Sequence, residues 1–558
     1  MKKKQILTLL CSLTVLPALA QMDNVVEVEN TYTPVVKDAN KINVLPEVEK
    51  TNVPHYPVKY TDQAQPASSY VFQPTEAAQS EAVDEGAPRG FATIGAGVRG
   101  NLNIRGAYGL KLSNSDLLDF DLSLRGYKGR VEDAFYDAED WSSRFFTTRG
   151  AVGYEHRFER GFSLRLKGNV ESQVFNYFPD HINYLIPAVT PHNKQHNWLT
   201  EFDARITPIQ FGKFTIYGNL GYNSFIQKYS HFALPTFENA EEVQIWVNAG
   251  SNFLLEENEQ GKHLLGLDLR TNFTQYDYEL YDNNNSFTFV PYYEWAAERF
   301  TLHAGVQLHL NSGFESRTRL APDVHFRYHA TEDIDLFARL DGGEVRNEFR
   351  RFSQITPCWA LESNNQMAHQ FDRFRTLVGV DWKLMDGLFA RLYAGYDRSR
   401  NRTELYGSSI LQSADGSLMH INADFTYQYQ NDFAAKLKCQ FNGWETKADK
   451  AVADELLSWR PIFDIRAEAN YRVWKGLSCG LDYVLQTFAH DGVDQYKRPA
   501  TNNLGASVTY TMPVEGLRTG SVLSFYLKGH NLLNQDFDAY KCYRAQRISF
   551  LAGVALTF

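Results

Sequence analysis

The chain has 558 residues, with 56 basic and 66 acidic side chains and a net charge of −10 at neutral pH. So mild an acidity argues against nucleic acid as a partner. Mean hydropathy is −0.40, and after residue 20 no run of about 18 apolar residues occurs, so no transmembrane helix is available.

The first twenty residues read as a secretory signal. Lys2, Lys3 and Lys4 form a charged region, residues 6–16 an apolar stretch, and Ala18, Leu19 and Ala20 a small-residue cleavage site. The mature protein is then expected to start at Gln21. Cys11 follows Leu9 and Leu10, where a lipidation motif wants small residues, so lipidation is not expected.

Residues 21–90 carry seven prolines (Pro34, Pro46, Pro54, Pro57, Pro66, Pro74 and Pro88), many acids and few large aliphatic clusters. Such a segment buries little apolar surface and reads as extended or disordered in isolation. Its exception is a short β-prone patch, Val25, Val26, Glu27 and Val28.

From Phe91 onward the rhythm is alternation. Leu265, Leu267, Leu269, Thr271 and Phe273 share one face, and Gly266, Asp268, Arg270 and Asn272 the other. The pattern returns with Phe374, Thr376, Val378, Val380 and Trp382 against Arg373, Arg375, Gly379, Asp381 and Lys383. It returns again with Phe463, Ile465, Ala467, Ala469, Tyr471 and Val473 against Asp464, Arg466, Glu468, Asn470 and Arg472. Period two means strands. Residues 547–558 close the chain in the same way, with Ile548, Phe550, Ala552, Val554, Leu556 and Phe558 on one face.

The second face is charged at full strand occupancy. Arg270, Arg373, Arg375, Asp381, Arg391, Lys436, Lys438, Asp464, Arg466, Glu468 and Arg472 are assigned to it. A dry sandwich core does not tolerate this, whereas a wall with lipid outside and a wet lumen inside does. The mixed signs point to salt bridges that stiffen the wall rather than to a strongly selective pore. Aromatics at 14%, with 31 Tyr and 38 Phe, fit the girdles of such a wall at the two membrane interfaces.

Connections alternate in length. Tight turns occur at Glu159, Arg160 and Gly161, at residues 330–333, at Met385, Asp386 and Gly387, at Gln430, Asn431 and Asp432, and at Lys475 and Gly476. Between them lie long connections near 128–144, 177–196, 230–242, 344–371, 403–416, 446–459 and 491–499. Residues 91–558 are therefore expected to form an all-β fold, a closed antiparallel transmembrane β-barrel of about 22 strands. Both ends of that barrel belong on the short-turn side. The location expected from this is the bacterial outer membrane.

Other candidate sites have plain readings. Cys439 and Cys479 fall on apolar faces, while Cys358 and Cys542 fall in expected loops and could pair in an oxidising compartment. His192 and His196 lie four apart in an expected loop, without helical ligand geometry, and read as solvated. Asp282, Asn283, Asn284 and Asn285 lack the glycine and distal glutamate of a calcium loop. Asn176, Tyr177, Phe178, Pro179 and Asp180, with the tyrosines of 276–281, read as an interface girdle first and a ligand-stacking surface second. No nucleophile motif appears, so no enzyme activity, metal or cofactor is expected.

The run Gly529, His530, Asn531, Leu532, Leu533, Asn534, Gln535, Asp536 and Phe537, before a final strand ending in Phe558, resembles the last external loop of TonB-dependent receptors. There an Asn-Leu-Phe-Asn-like run is usual, and Leu533 stands at the Phe position. Gly342, Gly343, Glu344, Val345 and Arg346 resemble receptor-like barrels of Bacteroidetes type. The resemblance covers residues 91–558 and implies solute or nutrient uptake, with Val25, Val26, Glu27 and Val28 in the place of the segment that pairs with TonB. It also implies Phe558 as the signal read by the barrel-assembly machinery. One departure stands out: the family carries a plug of well over a hundred residues, and here only residues 21–90 precede the barrel. Outer-membrane lipid, the assembly machinery, and TonB or a surface lipoprotein are the expected partners. The rival readings are a non-transporting barrel that anchors or assembles envelope proteins, and a passive porin.

Overall fold

The structure, a computed structural model, describes residues 89–131, 141–176, 194–228, 239–357, 359, 366–406, 410–488, 498–540 and 543–558. Among them, 22 strands form one closed sheet, each antiparallel to the strand before it. The first strand, Gly90–Gly97, pairs with the last, Ser549–Thr557, placing Phe91 opposite Thr557. The Phe558 carbonyl accepts from the Arg89 and Gly90 amides at 2.7 and 2.9 Å, and its ring stacks on Tyr108. Closure leaves no free edge, as a hydrocarbon surround demands.

Alternation decides which way each side chain points. Leu265, Leu267, Phe273, Val378, Trp382, Phe463, Tyr471 and Phe550 are exposed on the outside of the wall. The opposite face is polar and bonded across strands. From the strand Phe214–Gln227, the Tyr217 hydroxyl donates to Asp268 at 2.6 Å and lies 3.1 Å from the Tyr292 hydroxyl, which stands three strands away. Gly250 and Gly266 lie under those two tyrosine rings, where a Cβ would collide with them.

Strand length varies round the barrel. The strands beside the closing seam have 8 to 9 residues, against 20 in Ile410–Tyr429. About ten residues suffice to cross a bilayer. The long strands therefore carry wall beyond it, at the end opposite Gly90 and Phe558. Residues Arg402, Thr403, Glu404 and Leu405 are all buried there, so both faces of that strand end are covered.

Three features depart from the sequence reading. The connection expected at 403–416 is much shorter, because strands Leu388–Tyr406 and Ile410–Tyr429 run up into it. His196, expected in a loop, lies in the strand Lys194–Phe211, and Asn284 and Asn285 lie in Asn284–Ala296. Two helices, α1 (Phe349–Ile355) and α2 (Lys450–Leu457), and a small hairpin at Asp538–Tyr540 and Tyr543–Arg544 occupy long connections where no element was foreseen. Short apolar runs inside loops carry no usable period.

Candidate functional site

Residues 346–357, after the strand Ile334–Val345, reach across the mouth of the barrel from Thr403 to Glu201 and Glu242. Their helix α1 buries Phe349 and Phe352 completely, together with Trp359. These rings pack with Tyr276, Tyr278 and Tyr281 at one side of the mouth and in one apolar cluster with Leu199, Phe225, Leu405 and Leu411. Phe349 and Phe352 each contribute roughly 1.5–3 kcal/mol by that burial. The tyrosines of 276–281 are thus the floor for a folded strap, neither a lipid-interface girdle nor an open stacking surface. Burial also raises the Tyr278 and Tyr281 hydroxyls above the ordinary phenol range.

Polar bonds tie the strap to two separate stretches of wall. On one side Glu242 accepts the Phe349 amide, and Arg350 meets Glu201 at 2.6 Å. Glu201 continues into the wall by accepting from Asn169 at 2.8 Å, and Asn169 accepts from Arg149 at 2.7 Å. On the other side the Asn347 carboxamide oxygen accepts from Thr403 at 2.6 Å and from Arg351. Arg351 also donates to Gln370 at 2.8 Å, and burial lowers its guanidinium to about 10.

His369 holds the base of the strap. Its Nδ1 accepts the Asn347 amide at 3.0 Å, its own amide donates to Glu315 at 2.8 Å, and Nε2 faces the side-chain amide of Asn284. An imidazole accepting at Nδ1 carries its proton on Nε2, so the oxygen of Asn284 is the atom that faces it. Burial depresses the His369 pKa below the ordinary value.

The wall charges named from sequence are grouped as follows. Arg375 bonds Asp341 at 2.8 Å and lies 3.7 Å from Asp372; Asp381 lies 3.3 Å from Arg391 and 3.2 Å from Arg327. Arg466 holds Asp464 through two bonds of 2.9 Å, and Arg270 lies 3.8 Å from Asp268. Lys436 stands opposite Glu468 and Lys438 opposite Asp424 across neighbouring strands, while Arg472 reaches Asp432 at 3.5 Å. Arg373 is the extra residue of a bulge, since Asp372 pairs with Ser399 and Phe374 with Arg398.

The Asn531 and Asn534 run forms a compact turn. Both residues adopt positive φ, 48° and 51°, which Asn tolerates best among residues with a side chain. Asn531 accepts the Gln535 amide at 2.9 Å and donates to the carbonyls of Gln535 and Gln546 at 2.8 and 3.1 Å. Val25, Val26, Glu27, Val28, His192, Cys358 and Cys542 lie outside the described residues. Cys439 and Cys479 are free, half-buried thiols.

No family model and no curated protein matches the chain. Solved structures do. The ferric-catecholate import receptor Fiu from E. coli K12 superposes with a TM-score of 0.60 at 11% identity, covering 85% of this chain and 82% of its own. The ferric enterobactin receptor PfeA gives a TM-score of 0.63 at 10% identity, covering 85% and 81%. The copper transporter OprC gives 0.60 at 12%, covering 84% and 80%. At such identities the likeness is one of fold: this chain has the barrel architecture of those receptors.

Proposed function

We propose that the protein is a bacterial outer-membrane barrel that takes up a solute through its lumen, in the manner of TonB-dependent receptors. The observation that carries this reading is the 22-strand closed wall, matched over 85% of the chain by import receptors and lined inside with paired charges. The strap from α1 supports it against a passive porin, because apolar packing and ion pairs hold that strap across the mouth. In this reading residues 21–90 face the periplasm or enter the lumen from below, with Val25, Val26, Glu27 and Val28 as the strand offered to TonB. Phe558 is the residue that presents the last strand for assembly. The wall charges Arg270, Arg373, Arg375, Asp381, Arg391, Lys436, Lys438, Asp464, Arg466, Glu468 and Arg472 line the lumen, mainly as structural pairs.

The test joins binding to flux. Full-length protein should retain the C-terminal domain of TonB in co-sedimentation, and Val26→Pro should abolish this, since proline cannot donate to an added strand. Absence of binding by the unaltered chain would refute energy coupling. A stoichiometric periplasmic partner recovered without solute flux in proteoliposomes would favour the anchoring barrel instead.

A further inference from the structure

Three mouth connections far apart in sequence meet at one guanidinium. Arg498 lies over the Trp459 ring at 3.7 Å and the Phe488 ring at 4.0 Å. Its terminal nitrogens donate to the carbonyls of Trp459 at 3.2 Å and Asp538 at 3.3 Å. Trp459 follows α2, Phe488 follows the strand Leu477–Thr487, and Asp538 begins the small hairpin before the last strand. Only a planar cation can stack on aromatic faces and donate in its own plane at once, so a lysine would not replace it.

The chain of contacts continues in both directions. Arg460, next to Trp459, bonds Glu404 at 2.7 Å, and Glu404 also accepts from Arg402 at 2.5 Å. The Trp444 ring lies near both guanidinium groups, at 4.9 and 5.1 Å. Thr403, between Arg402 and Glu404, donates to Asn347 of the strap at 2.6 Å. The strap then reaches Glu242 and Glu201 on the far wall. In the other direction Tyr540 of the hairpin stacks on Phe145, in the strand Trp141–Arg157. The contacts thus cross the mouth from the strand Leu388–Tyr406 to Lys194–Phe211 through the strap, and return through the hairpin to Trp141–Arg157, two strands from where the strap ends.

We propose that these connections form one linked lid over the lumen, with Arg498 as its clasp, so that the strap opens only when its neighbouring loops let go. The proposal deepens the uptake reading, and rests on it for the purpose of the lid. A solute arriving at that end would have to loosen the Arg498 clasp before the strap, which it need not touch, could swing from Glu201 and Glu242.

Hydrogen exchange on the full-length protein in detergent tests the linkage without any solute. In the unaltered chain the amides of Phe349, Phe352 and Thr356, bonded to Glu242, Glu348 and Phe352, should exchange slowly. Arg498→Ala should speed exchange across residues 349–356 by about tenfold or more, as expected when a local opening unit loses its closure. Faster exchange confined to 459–462 and 531–540, with 349–356 unchanged, would overturn the proposal, and so would no change anywhere. Protection of the strand Gly90–Gly97 reports whether the variant has assembled. If it has not, Arg498→Lys decides, with the same direction expected and a smaller effect. Flux measurements stand apart, so that a barrel with a coupled lid but no transport would sink the uptake reading and leave the linkage intact.

Discussion

Gly95 on the first strand stands opposite Gly553 on the last, and the hydroxyl end of Tyr526 occupies the space a side chain at either would need. Tyr526 comes from Val522–His530, pairs with Gly553, and reaches across the last strand to the Thr93 hydroxyl at 3.1 Å. The seam that closes the barrel is thereby pinned from inside by a residue belonging to neither of its strands.

Gly553→Val should destabilise the barrel by about 1–3 kcal/mol, since the ring must leave its seat. Tyr526→Phe keeps the ring but loses the Thr93 bond, at a cost of about 1 kcal/mol. Urea titrations of vesicle-inserted protein, read by heat-modifiable migration, measure both. Equal midpoints for Gly553→Val and the unaltered chain would show that the seam does not depend on the vacant Cβ position.

Deleting Phe558 removes the carbonyl that accepts from Arg89 and Gly90 and the ring that stacks on Tyr108. Outer-membrane yield of the truncated chain should fall sharply. Unchanged yield would count against Phe558 as an assembly signal.

The two faces of one strand should respond differently. Leu267 is exposed to the outside and Asp268 accepts from Tyr217 inside. Leu267→Arg should cost roughly 2–4 kcal/mol near the bilayer midplane, and Asp268→Asn, which keeps an acceptor oxygen, much less. Refolding titrations giving equal costs would mean that the faces are exchanged.

Acid should weaken the hold of His369 on the strap. Burial keeps His369 neutral in the closed mouth, with its pKa below the ordinary value of 6.5. The carboxylates of Glu344, Glu348 and Glu315 oppose that shift, and Arg346 adds to it. An opened strap would release the imidazole to its ordinary pKa, so the open form takes up protons first as pH falls through 6.5. The His369 contribution to closed-state stability is therefore full above 6.5 and declines below it toward the depressed value. Protonation also places a hydrogen on Nδ1, where the Asn347 amide already points one. Glu242, which accepts the Phe349 amide and whose carboxyl burial pushes up to about 8, works in the opposite sense, so the ratio of exchange at pH 5 to that at pH 7.5 across residues 349–356, after correction for intrinsic rates, should be smaller in His369→Gln than in the unaltered chain.

Alternation in Leu265, Leu267 and Phe273 against Asp268 and Arg270 was enough to specify strands, faces and closure, because a wall between lipid and water constrains every second residue independently of its neighbours. The turn residues added the strand count and the side on which both ends emerge. Local chemistry reached no further. The bulge at Arg373 was not foreseen, because it depends on pairing with Ser399 and Arg398, residues some 25 positions away in the chain. The aromatic tyrosines near 276–281 looked like a girdle because nothing nearby in sequence says that Phe349 and Trp359 will fold onto them. What the sequence by itself determined was the barrel, whose periodic environment writes itself into each strand. The strap, the Arg498 clasp and the Tyr526 lock were decided only by tertiary structure, because each joins residues that share no period and meet only once the wall has closed around them.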